Sequence, residues 1–73
     1  MLTGDQVRQA CALLKWTRYD LQRHTALRFV VIDCVLRSKD SINATLAEKI
    51  IVKEAFHRSG VEFIDEGPRL RRG

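Results

Sequence analysis

The sequence is short of the residues on which most small-molecule chemistry depends. It holds two cysteines and two histidines in 73 residues. Cys11, Cys34, His24 and His57 fall into no CxxC or HxxxH spacing that would gather a metal. Buried, reduced thiols and surface histidines account for them without a ligand. There is no glycine-rich phosphate loop, no nucleophile beside an evident base and no acid pair at a pocket. A chain this short also offers little concave surface, which argues against an enzyme and points to no cofactor. No apolar run approaches the length of a membrane span, and residues 1–20 lack the apolar core of a signal peptide. The expected address is the cytoplasm, with no membrane partner. No internal repeat and no low-complexity segment interrupts the chain.

What is present is the composition of a small globular domain: 45% hydrophobic and 30% charged residues, neither disordered nor fibrous. Residues 1–73 read as a single domain near the lower size limit of independent folding. The net charge of +4 is unevenly spread. Residues 1–40 carry seven Lys or Arg against four Asp, residues 41–68 carry three basic against five acidic groups, and Arg69, Arg71 and Arg72 close the chain. Positive charge on the first half is compatible with contact to phosphate.

Local patterns give the elements. Thr3-Gly4-Asp5-Gln6 is a capping box with Leu2 and Val7 at staple spacing, so a first helix should run from about Gly4 to Leu14 with Val7, Ala10, Leu13 and Leu14 inward. Thr17-Arg18-Tyr19-Asp20 repeats the pattern and opens a second helix, from about Arg18 to His24, with Leu21 inward. Thr25, Ala26 and Leu27 form a turn. A third helix follows from about Arg28 to Arg37, burying Leu27, Ile32, Val35 and part of Val31. Ser38-Lys39-Asp40-Ser41 is turn-like. A longer helix from about Asn43 to Ser59 carries a wide apolar stripe of Leu46, Ile50, Ile51, Val52, Ala55 and Phe56. Glu48, Lys49, Lys53 and Glu54 form its solvated face. Gly60 fits a left-handed C-cap. Val61-Glu62-Phe63-Ile64 is strand-prone, Asp65-Glu66-Gly67-Pro68 a turn, and Arg69-Leu70-Arg71 a return strand. The predicted fold is mainly α: four helices, the second and third forming a helix-turn-helix over residues 17–37, closed by a C-terminal β-hairpin over residues 61–72. Trp16 reads as a core anchor.

Two stretches carry a family resemblance. Asp5-Gln6-Val7-Arg8-Gln9-Ala10-Cys11-Ala12-Leu13-Leu14-Lys15-Trp16-Thr17-Arg18-Tyr19-Asp20-Leu21-Gln22 resembles the start of the small Cro/repressor-type (XRE-family) helix-turn-helix regulators of the alphaproteobacterial kind. Their pattern runs roughly x-Gln-Ile-Arg-Ala-Ala-Arg-x-Leu-Leu-Gly-Trp-Ser-Gln-x-x-Leu-Ala. Gly60-Val61-Glu62-Phe63-Ile64-Asp65 matches the segment near their end, and Arg69-Leu70-Arg71 resembles their basic strand. The resemblance implies a transcriptional regulator that binds duplex DNA. Departures fall on the motif itself. Arg18 replaces the Gln that contacts phosphate and braces the reading helix, and Gln22 replaces a small Ala. Ala26 stands for the turn glycine, Arg28 for a polar residue opening the third helix, and Leu36 for an acid.

For such a fold the expected phosphate contacts are Arg18, Arg23, Arg28, Arg37 and Lys39. By register with Ile32, Phe29, Val30, Asp33 and Cys34 would face base edges. That set is unusual, because reading the major groove takes Arg, Gln, Asn or Lys. Phe29 and Val30 can meet only a thymine methyl, and Asp33 can only accept, from cytosine. DNA binding through phosphates alone would be salt-sensitive and poorly selective. Tyr19 can reach a phosphate or bond within the protein.

Two other readings fit the same residues. Phe29, Val30, Cys34 and Leu36, rimmed by Arg, have the composition of a protein interface for another transcription regulator. Alternatively, Phe29 and Val30 pack on the chain's own long helix or hairpin. A homodimer is expected, because one copy contacts few base pairs; the hairpin edge and the apolar long helix are both candidates for its interface.

Overall fold

The computed structural model describes residues 2–38 and 44–71. It comprises α1 (Gly4–Leu14), α2 (Arg18–Thr25), α3 (Phe29–Arg37) and α4 (Leu46–Arg58), followed by an antiparallel hairpin of β1 (Val61–Ile64) and β2 (Gly67–Leu70). Three of the helices open on a threonine capping box: Thr3 with Gln6, Thr17 with Asp20, and Thr45 with Glu48. In each, the threonine oxygen accepts from the backbone amide three residues on, and that residue's side chain accepts from the threonine amide. The third box starts α4 later than its apolar periodicity suggested, at Leu46 rather than near Asn43. Asn43 itself, with Lys39, Asp40 and Ser41 of the expected turn, lies outside the described residues.

The core is built from one stripe of each helix and one strand. Val7, Ala10, Cys11, Leu21, Ile32, Val35, Val52, Phe56 and Val61 are buried together, with Leu14, Trp16, Leu27, Val31, Leu36 and Phe63 packed around them. Trp16 stacks on Phe56 at 5.2 Å between ring centroids and on His24 at 4.2 Å, so it anchors the α1–α2 junction to α4. Fully burying a side chain the size of Leu21, Ile32 or Phe56 contributes about 1.5–3 kcal/mol. Cys11 belongs to this interior, and desolvation, with the Asp20 carboxylate nearby, pushes its thiol up to about 11.

Four expectations need correction. Leu13 is exposed, whereas Cys11 faces inward as expected. On α4 only Val52, Ala55 and Phe56 are buried, while Leu46 is 74% exposed, Ile50 50% exposed, and Ile51 exposed as well. The stripe wraps farther round the helix than α2 and β1, its packing neighbours, can cover. Cys34 is half-buried, so only one of the two thiols is a core residue. The hairpin turn is just Asp65 and Glu66, with Gly67 and Pro68 already in β2, opposite Ile64 and Phe63. Gly60, at φ +95°, ends α4 in the expected left-handed conformation.

α1 meets the end of α3 in a close seam. A Cβ on Gly4 would lie 1.7 Å from the carbonyl oxygen of Ser38, so only glycine fits there. Arg8 donates from one guanidinium nitrogen to the carbonyls of Leu36 and Ser38, and from another to Asp5. These bonds satisfy carbonyls at the C-terminal end of α3 and fix its angle to α1. Among the described residues no helix is long and apolar enough to cross a membrane.

Candidate nucleic-acid interface

α2 and α3 are joined by a turn that the sequence stabilises from inside. Ala26 adopts a left-handed conformation at φ 60°, and its amide donates to the Gln22 carbonyl. The Gln22 side chain donates to the carbonyl of Leu27 at 3.0 Å, strapping the turn to α2. Buried Thr25 donates to the Leu21 carbonyl and accepts from the Leu27 amide. α3 then starts without a side-chain cap: Arg28 occupies the N-cap and its side chain makes no capping bond. As the first two residues of the helix, Phe29 and Val30 have amides with no intrahelical acceptor.

At about 3.6 residues per turn, Val30, Asp33, Cys34 and Arg37 share the side of α3 opposite buried Ile32 and Val35. Phe29 flanks that ridge on the α2 side. Its ring meets Tyr19 edge-on at 5.5 Å between centroids, and Tyr19 is itself 60% exposed. Val30 is 59% exposed. Neither Phe29 nor Val30 joins the core, so the reading in which they pack on α4 or the hairpin does not hold. Leu36 does pack against the core and drops out of any surface patch.

One ion pair organises this surface. Arg18, at the start of α2, donates from Nε and from a terminal nitrogen to the two carboxylate oxygens of Asp33, each at 2.9 Å. Its guanidinium carbon also lies 5.1 Å above the Tyr19 ring and 4.8 Å above the Phe29 ring. The hydrogen bonds to Asp33 are the main reason the Arg18 guanidinium is held above its already high ordinary pKa. Each partner is a little over one-third exposed, so the pair orients more than it stabilises. Beside it, the backbone amide and hydroxyl of Thr17 hold the Asp20 carboxyl below its ordinary pKa, and it stays ionised at the α2 N-terminus.

The structure thus separates the expected phosphate residues. Arg18 is bound to Asp33, whereas Arg23, Arg28 and Arg37 are exposed and form no salt bridge among the described residues. Arg37 Nε leans back to the Asp33 carbonyl. Lys39 lies outside the described residues. Asp33 and Cys34 are on the outer ridge, Asp33 with both oxygens engaged and Cys34 half-buried. Sequence reasoning missed the Arg18–Asp33 pairing and the strap at Gln22, since neither the separation of 15 residues nor the swap of Ala for Gln carries a local signal. No group of three His, Cys, Asp or Glu side chains among the described residues could hold a metal.

The chain matches no known family profile, no curated protein and no solved structure.

Proposed function

We propose that the chain is a small transcriptional regulator of the Cro/repressor type, binding duplex DNA through α2 and α3 as a homodimer. The observation that carries this reading is the charge pattern of the α3 surface. The one carboxylate of α3, Asp33, is charge-paired by Arg18, and Arg23, Arg28 and Arg37 are exposed around it with no salt bridge among the described residues. Such a rim, with the uncapped amides at the start of α3, suits a phosphate backbone. Backbone conformation adds support: Lys15 and Ala26, where the resembled pattern carries glycine, are left-handed at φ 57° and 60°.

In this account Arg18 braces α3, while Arg23, Arg28 and Arg37 hold phosphates and Phe29, Val30 and Cys34 face the groove. Dimerisation is best assigned to α4, where Leu46, Ile50 and Ile51 stand uncovered. Pro68 faces Phe63 in a pair that cannot exchange hydrogen bonds, so the outer edge of β2 lacks a donor and suits strand pairing poorly.

The test is fluorescence anisotropy with a mixed-sequence duplex between about 50 and 200 mM salt. Arg28→Ala should weaken binding to all sequences alike and lower the log–log salt slope by about 0.9. An unchanged slope removes Arg28 from the contact set, and no binding at low salt removes DNA.

One observation favours a second reading, in which the same face docks a transcription regulator: Tyr19, Phe29 and Val30 form a contiguous exposed apolar surface. Replacing Phe29 and Val30 with Gln separates the two. A DNA binder keeps its phosphate-based affinity, and a protein interface loses its partner.

A further inference from the structure

We propose that Val30 and Phe29 read thymine C5-methyl groups in the major groove, so that the domain selects its sites by methyl contacts and not by hydrogen bonds to base edges. This rests on the DNA-binding reading above and names what the α3 ridge would recognise.

The ridge offers base edges few hydrogen-bond donors. A helix-turn-helix contacts base edges chiefly through the N-terminal part of its second helix. Here that part is Phe29, Val30 and Asp33. Asp33 accepts two bonds from Arg18, one to each carboxylate oxygen, and the pair is fixed by the two aromatic rings around the guanidinium. Cys34 is a weak donor at best. Arg37 sits in the last turn, with Nε directed back to the Asp33 carbonyl. No side chain within the first turn of α3 can donate to a base, and Arg28 at its N-cap is assigned above to phosphate.

What the ridge does offer is apolar. Val30 is exposed, and Phe29 is held edge-on by Tyr19 with Arg18 over its face, so the Phe29 ring is positioned before any ligand arrives. In the major groove thymine is distinguished by its methyl group, and apolar side chains are its complement. Charge decides that the occupant is DNA. Arg28 immediately precedes Phe29, Arg23 lies one turn beyond Tyr19 on α2, and Arg37 closes the ridge, so arginines frame the patch among the described residues.

The test uses three pairs of probes at about 50 mM salt. An alternating dA–dT duplex is compared with its dA–dU counterpart, which lacks only the methyl. An alternating dG–dC duplex is compared with its 5-methylcytosine form, which gains one at the equivalent place. The third pair is wild type against Val30→Ser, a substitution at an exposed position that leaves the core intact. Each contacted methyl should change affinity about fourfold. Binding should therefore weaken at least fourfold on dA–dU and strengthen on methylated dG–dC. Val30→Ser should reduce both differences. Equal, salt-sensitive binding to dA–dT and dA–dU would overturn methyl reading alone. No binding to any duplex would overturn the DNA reading and this inference with it.

Discussion

The outer face of α3 and the outer face of α4 both expose aliphatic side chains, yet their surroundings differ. Around Val30 and Phe29 the exposed charges without a salt bridge among the described residues are Arg23, Arg28 and Arg37, and the single carboxylate of α3 is tied to Arg18. Around Leu46, Ile50 and Ile51 the charges are of both signs: Glu48, Lys49, Lys53 and Glu54. A rim of one sign favours a polyanion and repels a second copy of itself. A rim of both signs is neutral overall and can be self-complementary about a two-fold axis. Exposed apolar area alone therefore does not distinguish the two faces; the charge at their edges does. On that basis we propose the α3 face for DNA and the α4 face for a second protomer.

The largest effect should come from breaking the α4 face. Replacing Leu46 and Ile50 with Glu should give a monomer by sedimentation, with an unchanged helical signal because both positions are exposed. Affinity for a duplex with two half-sites should fall about a hundredfold or more as the linked second contact is lost. A dimer that survives would move the interface elsewhere.

Next in size is Gly4→Ala, which attacks the seam that sets α3 against α1. The new Cβ would meet the backbone carbonyl of Ser38, which has no flexible end to yield. Stability should drop by about 2–3 kcal/mol, lowering Tm by roughly 10 °C or more.

A subtler probe separates the bracing role of Arg18 from a phosphate role. Arg18→Ala should weaken DNA binding by leaving the Asp33 carboxylate bare on the ridge, and the double variant with Asp33→Asn should recover most of the loss. If Arg18 held phosphate directly, the double variant would stay as weak as the single one.

The smallest effect is a rate. Cys34 lies on the α3 ridge and Cys11 in the core, so bound DNA should slow alkylation of Cys34 at pH 8 while Cys11 stays unmodified with or without DNA. Burial raises the Cys11 thiol above its ordinary value, so its neutral form is the one the fold favours. Its contribution to stability is complete below about pH 9 and declines as pH rises toward 11. A denaturation series across that range checks the sign.

Much of the fold was legible because its signals are local. The capping boxes at Thr3 and Thr17 occupy four-residue words, and α1 and α2 start where those words place them. The same kind of word at Thr45–Glu48 starts α4, where apolar periodicity pointed too early. The surfaces were less legible, because they depend on neighbours distant in sequence. An apolar stripe on α4 gave no sign that α2 and β1 would cover only part of it. Arg8 and Arg18 both reach α3, but from 28 and 15 residues away, and composition cannot say that one serves carbonyls and the other a carboxylate. The requirement for glycine at position 4 likewise exists only once Ser38 is brought beside it.

The central claim is that the two apolar faces serve different partners. An amide NMR titration of the labelled protein with mixed-sequence duplex, at about 50 and 200 mM salt, tests it most directly when paired with a dilution series. The account predicts salt-sensitive shifts on residues 18–37 when DNA is added, and shifts on residues 46–54 when the protein alone is diluted. DNA-induced shifts confined to α4, or none at low salt, would contradict it.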